Sequence, residues 1–145
     1  MTKLCNLFYT DDEKRNSDLY IDELKHDFSI RYIRVVESVK WYLDQIVADG
    51  PGIIVQDVML PHPDDPNGAL DVSAGIRLMR ELQDDVVKLN IGVILFSNRV
   101  RKDLEEAAMD NQFSSTHFVV HNKYEVGFDK LANIARELYF RLNPR

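Results

Sequence analysis

Four short apolar stretches of this sequence each run into polar residues that could handle a phosphoryl group. In chain order, the residues that follow them are Asp11 and Asp12, then Asp57, then Ser97, and, two residues after the last stretch, Lys123. In a parallel α/β fold the carboxyl ends of the strands share one edge of the sheet, where ligands bind. Such a fold would bring three carboxylates, a hydroxyl and an amine together. This set predicts a site for a divalent metal and a phosphoryl group.

The length and composition narrow the class of protein. The 145 residues predict a single domain over residues 1–145, and the 45% apolar and 10% aromatic content is typical of a globular protein. A net charge of −6 argues against a nucleic-acid-binding surface, because no basic excess can neutralise phosphates. Apolar runs of about six residues argue against a membrane span. The single cysteine, Cys5, allows no internal disulfide and favours a reducing cytoplasm.

Short apolar runs alternate with helical patterns, which predicts βαβ units. The predicted strands cover residues 4–10, 30–36, 53–57, 91–97 and 117–121. The first predicted helix begins near Asn16 or Ser17, and the second begins near Ser38 and ends at 49–52. The remaining three predicted helices cover about 73–89, 100–111 and 127–142. Because crossovers between parallel strands are right-handed almost without exception, we expect helices on both faces of a parallel sheet.

Apolar residues at helical spacing predict which helix faces are buried. The predicted inward residues are Ile21, Leu24 and Phe28 in the first helix, Val39, Leu43, Ile46 and Val47 in the second, Ile76, Met79, Leu82 and Val86 in the third, and Phe128, Leu131, Ile134, Ala135 and Leu138 in the last.

The acidic pair, the run Asp57-x-Met59-x-Pro61, Ser97 and Lys123, in this order on alternating units, resemble a response-regulator receiver domain. The resemblance spans essentially the whole chain, and the acidic pair and the Asp57 run are its most specific parts. It implies a flavodoxin-like, doubly wound α/β fold with a five-stranded parallel sheet of order 2-1-3-4-5 and five helices.

The resemblance also implies a Mg²⁺ site. Asp12, Asp57 and the backbone carbonyl of Met59 would ligate the ion directly, and Asp11 would act mainly through water. Neighbouring carboxylates raise one another's pKa. A hard divalent cation relieves that repulsion.

By the same resemblance, Asp57 would accept a phosphoryl group from a histidine kinase or a phosphotransfer protein of a two-component or phosphorelay system. Lys123 would pair with the phosphoryl oxygens, and Ser97 would donate a hydrogen bond to them. An aromatic switch residue is expected three positions before the lysine, where this chain has Val120. If residues 121–122 are an insertion, Phe118 takes the aromatic role.

Two departures from the family pattern leave alternatives open. The lysine is normally followed by proline after a cis bond, and here Tyr124 follows it. A non-proline cis bond costs ~3 kcal/mol, so the loop either bears that cost or is trans with a different shape. The loop 62–72 carries additional aspartates and is either a solvated loop or a partner-specific lid. The glycine expected before the third helix is Gly68 or Gly75.

The function implied is a signalling switch, not an enzyme, with phosphoryl uptake and slow hydrolysis at Asp57 as its only chemistry. A downstream protein or a second copy of the chain would read its state, and no output domain is expected. The alternative is a pseudo-receiver that binds partners independently of phosphorylation. A small hydrolase or nucleotide-binding enzyme is disfavoured, because the sequence has no Gly-rich phosphate loop after the first strand and no Gly-x-Ser-x-Gly elbow.

Overall fold

A parallel sheet with helices on both faces forms the body of the molecule. A computed structural model describes residues 2–61, 70–71 and 74–144. The main-sheet strands are β1 (Cys5–Thr10), β2 (Phe28–Ile33), β3 (Ile53–Gln56), β4 (Gly92–Ser97) and β5 (Phe118–Asn122). The α-helices within the described ranges are α1 (Lys14–Leu24), α2 (Val39–Asp49), α3 (Ala74–Lys88), α4 (Arg101–Asp110) and α5 (Phe128–Leu142). The strand order 2-1-3-4-5 confirms the expected doubly wound topology.

A short antiparallel ladder forms a second, two-stranded sheet. Leu60–Pro61 pairs there with Leu70–Asp71, which falls in the segment 62–72 that the sequence predicts to be a loop. Residues 62–69 and 72–73 lie outside the described residues. Asp64, Asp65 and Gly68 are among them, so the two interpretations of loop 62–72 stay predictions.

Each helical layer seals one face of the sheet with its own apolar cluster. One cluster joins the sheet to α2, α3 and α4; its largest buried members include Phe8, Tyr42, Ile54, Met79, Leu95 and Phe118. The other joins the sheet to α1 and α5 and includes Leu7, Tyr9, Phe28, Val55, Phe96 and Leu138. A sheet that is buried on both faces explains why its strands read as nearly continuous apolar runs. None of the helices among the described residues is long and apolar enough to cross a membrane.

The register of the strands sets where the polar residues meet. Thr10 is paired with Gln56, and Ser97 with Asn122, so neighbouring parallel strands end at the same edge of the sheet. Each of these residues is the last of its strand. The chain therefore delivers the residues that follow the strands to one place.

The first helix and the second strand differ from their predicted limits. The expectation that α1 is capped by Asn16 or Ser17 is wrong, since the helix begins at Lys14 and the Ser17 hydroxyl donates to the Glu13 carbonyl at 3.0 Å. Phe28, expected on the first helix, begins β2, because pairing with β1 runs in register from Cys5 with Phe28. Tertiary pairing here overrides the local helical pattern.

Two residues predicted to face inward are exposed. Val47 of α2 is 66% exposed and Phe128 of α5 is 42% exposed. In α2 the buried residues are Ile46, as predicted, and Tyr42, whose hydroxyl bonds to Thr10 and Gln56 inside the protein. Other features of α2 agree with the sequence: the Ser38 hydroxyl caps it by accepting from the Trp41 amide at 2.9 Å, and Gly50 ends it at φ 57°.

Candidate functional site

Three carboxylates converge at the carboxyl edge of the sheet. Asp11 and Asp12 follow β1, Asp57 follows β3, and one oxygen from each lies within 4.8 Å of those of the other two. Asp11 is 3% exposed and Asp57 is 6% exposed, whereas Asp12 is half-buried. Buried carboxylates this close repel one another unless a cation balances them.

Backbone hydrogen bonds fix the Asp57 turn. The Asp57 amide donates to the Thr10 carbonyl at 2.9 Å, and the Met59 amide donates to Asp57 Oδ1 at 3.2 Å. The Gly75 amide, in the first turn of α3, donates to the Val58 carbonyl at 2.9 Å. A Cβ at Gly75 would lie 2.2 Å from the Asp57 carbonyl oxygen, so only glycine permits this approach. Of the two glycines considered for the position before the third helix, Gly75 is the second residue of α3 and Gly68 lies outside the described residues.

The Asp11 turn is held by its own set of bonds. Asp11 Oδ1 accepts from the Glu13 amide at 2.9 Å, which closes a local turn before α1. The Asp11 carbonyl accepts from the Tyr32 hydroxyl at 2.5 Å, and the Asp11 amide donates to Ile33 at 3.2 Å. These bonds leave Asp11 Oδ2 directed to another partner.

That partner is Lys123, which enters the cluster directly after β5. Its Nζ lies 2.6 Å from Asp11 Oδ2 and 3.8 Å from Asp57 Oδ2, and its side chain is 17% exposed. The same Nζ lies 5.7 Å from the centre of the Phe96 ring. Lys123 is therefore a buried cation placed between two of the three carboxylates.

The turn that carries Lys123 is trans. No peptide bond among the described residues is cis, and Lys123–Glu125 forms a single 3₁₀ turn. The Tyr20 hydroxyl of α1 contacts the carbonyls of Lys123 and Val126 at 3.3 and 3.1 Å. Of the two alternatives for the bond between Lys123 and Tyr124, the structure has the trans bond with a loop of different shape. Tyr20, from a neighbouring helix, fixes that loop.

Charge and burial shift the titration of the cluster. The pKa of Asp57 is raised to about 7: burial is the main cause, Asp11 and Asp12 add to the rise, and Lys123 and the Met59 amide oppose it. The pKa of Asp12 is also raised, first by burial and then by Asp11. Burial alone would lower the pKa of Lys123, but the neighbouring carboxylates outweigh it and the pKa is raised. One lysine facing three carboxylates leaves the cluster with surplus negative charge.

This donor set fits Mg²⁺. The ion prefers oxygen ligands, usually one or two carboxylates with several waters. The cluster offers carboxylate oxygens only, it carries surplus negative charge, and Met59 lies beside it on the same cavity. The cluster opens into a cavity of about 510 Å³. The residues that line it are Asp11, Asp12, Glu13, Tyr20, Asp57, Met59, Asn98, Lys123, Tyr124 and Phe128.

Two of the residues expected at the site are placed differently. Ser97 is completely buried at the end of β4, and its Oγ accepts from the Arg99 amide at 3.3 Å, while the next residue, Asn98, lines the cavity. Phe118 is the first residue of β5 and stacks on Phe113 with ring centres 4.5 Å apart. The structure does not bring Phe118 to the carboxylates, because it lies at the opposite end of its strand.

Sequence reasoning missed two residues that shape the site, Tyr20 and Asn122. Tyr20 reads as one more aromatic residue on a helix, and its contact with the Lys123 turn spans 103 positions of sequence. Asn122 carried a usable signal, since it is a polar residue at the end of a buried strand and directly precedes Lys123.

Comparisons with known proteins identify the fold. No protein-family model matches this chain, and a search of the curated proteins finds no significant match. Solved structures do match. A LuxR-family DNA-binding response regulator from Staphylococcus aureus has a TM-score of 0.65 at 18% identity, over 93% of this chain and 98% of that one.

Two further structures agree with it. A CheY-like response regulator receiver domain protein from Methanospirillum hungatei has a TM-score of 0.67 at 12% identity, over 97% of this chain and 98% of that one. The BeF3-activated receiver domain of DrrB has a TM-score of 0.65 at 15% identity, over 92% and 96%. At such identities the likeness concerns the fold: this chain adopts the flavodoxin-like fold of response-regulator receiver domains.

Proposed function

We propose that this protein is a phosphoacceptor receiver in which Asp57 takes a phosphoryl group from the phosphohistidine of a histidine kinase or phosphotransfer protein. One observation carries the proposal: a buried carboxylate, Asp57, shares an oxygen cluster with Asp11 and Asp12, and the Lys123 ammonium lies 3.8 Å from its Oδ2. A nucleophile, a cation site and a fixed positive charge therefore meet at the edge where such a fold binds ligands.

The transfer is a displacement at phosphorus. An Asp57 carboxylate oxygen forms the new P–O bond while the bond from phosphorus to the donor imidazole nitrogen breaks, and that nitrogen keeps the electron pair. Asp12, Asp57 and the Met59 carbonyl are the proposed Mg²⁺ ligands, with Asp11 acting through water. When bound, Mg²⁺ supplies charge neutralisation for the carboxylates and the phosphoryl oxygens.

The remaining work belongs to positioning by the chain itself. The Thr10 carbonyl accepts from the Asp57 amide and the Met59 amide donates to Asp57 Oδ1, and these bonds hold the Asp57 turn in place before the donor arrives. Lys123 Nζ, now paired with Asp11 Oδ2, is placed to pair with a phosphoryl oxygen on Asp57 instead. Such transfers need mainly orientation and charge stabilisation, which these groups provide.

The switch follows from that exchange of partners. A phosphoryl group on Asp57 offers new acceptors to Lys123 and to the loop that follows Ser97, and so favours a conformation in which both turn toward it. The surface of α4, β5 and α5 is the proposed readout for a downstream protein or a second copy of the chain. In the structure, the Ser97 hydroxyl accepts from the Arg99 amide at 3.3 Å.

The phosphorylation-independent interaction module remains the competing hypothesis. It rested on Tyr124 following the lysine and on Val120 in place of an aromatic residue. Lys123 reaches Asp11 at 2.6 Å with a trans peptide, and this contact supports the receiver over the alternative.

Intact mass after incubation with Mg²⁺ and acetyl phosphate tests the proposal. We expect the wild type to gain one phosphoryl group and Asp57→Asn to gain none. Chelation of Mg²⁺ should abolish the gain. Mg²⁺ binding without any phosphoryl gain in the wild type would favour the interaction module, and an equal gain in Asp57→Asn would contradict the assignment of Asp57.

A further inference from the structure

Asn122 makes three hydrogen bonds that leave the sheet. It is the last residue of β5, it is 7% exposed, and it directly precedes Lys123. Its Nδ2 donates to the carbonyls of Arg99 at 2.5 Å and Asn98 at 3.3 Å. Its Oδ1 accepts from the Tyr124 amide at 2.8 Å. All three partners are backbone groups that lie beyond the ends of β4 and β5.

These bonds connect the β4–α4 loop to the turn after β5, beyond the point where the ladder between β4 and β5 ends. The pair Ser97 with Asn122 is the last in the ladder of β4 and β5. Beyond it, the β4–α4 loop places Asn98 on the cavity, and the turn after β5 places Lys123 in the carboxylate cluster. The carboxamide of Asn122 continues the connection after the ladder has ended.

The identity of residue 124 makes half of this arrangement possible. A proline has no amide hydrogen, so the bond to Asn122 Oδ1 exists because residue 124 is tyrosine. That bond caps the 3₁₀ turn of Lys123–Glu125, whose first residue bears the ammonium. A buried amide with all its partners in the backbone holds such a turn tightly.

We infer, resting on the proposed function, that Asn122 is a positioning residue: it clamps the Lys123 turn to the β4–α4 loop so that both meet the phosphoryl group as one unit. It touches neither Asp57 nor the donor and acts through Lys123 and the loop. The carboxylates stand on the loops after β1 and β3, which Asn122 does not contact in the described structure. Breaking the clamp should therefore slow transfer without weakening the binding of Mg²⁺.

Substitutions at Asn122 separate the two halves of the clamp. Asn122→Asp keeps an acceptor for the Tyr124 amide but turns a carboxylate oxygen toward the carbonyls of Asn98 and Arg99. Asn122→Ala removes every bond. Asn90→Asp is the matched control, because Asn90 also bridges through its carboxamide, to Leu142 at 2.9 Å and His117 at 3.1 Å. Its φ of 58° suits aspartate as well as asparagine.

The experiment measures three quantities for each protein: the initial rate of phosphoryl uptake from acetyl phosphate at saturating Mg²⁺, the Kd for Mg²⁺, and the free energy of unfolding. Loss of alignment at a transfer site costs about tenfold to a hundredfold in rate, so we expect at least about a tenfold slower uptake for both Asn122 variants. Their Mg²⁺ affinity should not weaken, and freeing Lys123 from Asp11 should if anything strengthen it. Asn90→Asp should lose stability and keep its uptake rate.

The outcomes distinguish the clamp from the function it serves. A wild type that takes up no phosphoryl group overturns the proposed function. If the wild type takes up a phosphoryl group, and Asn122→Asp and Asn122→Ala take it up at the wild-type rate, the clamp alone is overturned. Uptake, Mg²⁺ affinity and stability falling together in the Asn122 variants would also overturn it, since that pattern marks general loosening of the fold.

Discussion

Asp57 is a buried carboxylate whose pKa is raised to about 7, first by burial and then by Asp11 and Asp12. In the unfolded chain an aspartate has a pKa of about 3.9. Between these two values the folded protein holds the proton more tightly than the unfolded chain does. Ionisation of Asp57 therefore reduces stability progressively as the pH rises from about 4 to about 7, and the cost is complete above that range.

This sign yields a test on metal-free protein. We expect Asp57→Asn to raise the free energy of unfolding in EDTA by about 2 kcal/mol at pH 8, because it removes a buried, repelled charge. At pH 4 the effect should nearly vanish, since Asp57 is then protonated. Denaturant unfolding at both pH values measures the difference. Added Mg²⁺ should reverse the ranking, and a variant less stable than wild type in EDTA at pH 8 would contradict the electrostatic interpretation.

The Lys123 ammonium lies 2.6 Å from Asp11 Oδ2, so we expect it to compete with a cation for that carboxylate. Lys123→Met should therefore tighten Mg²⁺ binding while slowing phosphoryl uptake by about a hundredfold, as expected when one fixed charge at a developing oxyanion is lost. Titration of Mg²⁺ and intact-mass kinetics measure the two effects. Lys130→Met, at an exposed lysine of α5, should change neither. Weaker Mg²⁺ binding in Lys123→Met would refute the competition.

At this scale the sequence placed the charged residues well and the supporting residues poorly. Asp11 and Asp57 each follow a strand directly and Asp12 comes one residue later, and the rule that parallel strands end together was enough to group them. The bond from Asn122 to the Arg99 carbonyl spans 23 positions and that from Tyr20 to the Lys123 carbonyl spans 103, and contacts at such separations leave no local pattern in the sequence. Phe118 was misplaced because its distance from Lys123 along β5 carries it to the other end of the strand.

Among the elements, α3 packs closely against the Asp57 turn. Its Gly75 lies where a Cβ would be 2.2 Å from the Asp57 carbonyl oxygen and 2.7 Å from the Val58 Cα. Both are backbone atoms, so a side chain there must displace either the helix or the Asp57 turn. The position of the start of α3 and the geometry of the carboxylate cluster therefore depend on each other.

Gly75→Ala should reduce the free energy of unfolding by about 2 kcal/mol, since overpacking against backbone outweighs the better helix propensity of alanine. It should also weaken Mg²⁺ binding, because the displaced turn carries Asp57. Denaturant unfolding and Mg²⁺ titration provide the measurements. Gly127→Ala is the control, because the atom nearest to a Cβ added at Gly127 would be 3.4 Å away. A stabilised Gly75→Ala variant would disprove the close approach.

Element type was easier to predict than element boundary. Ser38, Gly50 and the apolar spacing of α3 marked their helices correctly, because capping and periodicity are local. The limits of β2 were wrong because its pairing with β1, from Cys5 with Phe28 onward, is a tertiary fact. Val47 was expected inside, yet the buried residues of α2 are Ile46 and Tyr42, and Tyr42 satisfies its hydroxyl with Thr10 and Gln56.

For the molecule as a whole, the doubly wound sheet explains how its carboxyl edge can form the candidate functional site while the rest of the sheet forms the core. Helices seal both faces, so the carboxyl edge is where the strands deliver side chains to solvent. The strict alternation of strands and helices made this topology predictable. Crossover handedness predicted helices on both faces of the sheet, whereas the order of the strands was implied by the resemblance to a receiver domain.

Phosphorylation should change the dynamics of the molecule at one side of that edge. We expect slower amide hydrogen exchange in peptides that cover residues 98–100 and 123–127 after phosphoryl uptake, because Lys123 and the β4–α4 loop gain new partners there. Exchange in α2, on residues 39–49, should not change. Mass spectrometry of quenched digests measures both, with Asp57→Asn treated identically as the control. A uniform change over the chain would contradict a local switch.

The most direct test of the central claim asks which atom carries the phosphoryl group. Borohydride reduces an aspartyl phosphate to homoserine, and it leaves free carboxylates and phosphate esters of hydroxyl groups unchanged. After treatment with acetyl phosphate and Mg²⁺, followed by borohydride, peptide mapping should find homoserine at position 57 and aspartate at positions 11 and 12. Homoserine at another position, or aspartate retained at 57 in protein that has gained a phosphoryl group, would contradict the assignment of Asp57 as the phosphoacceptor.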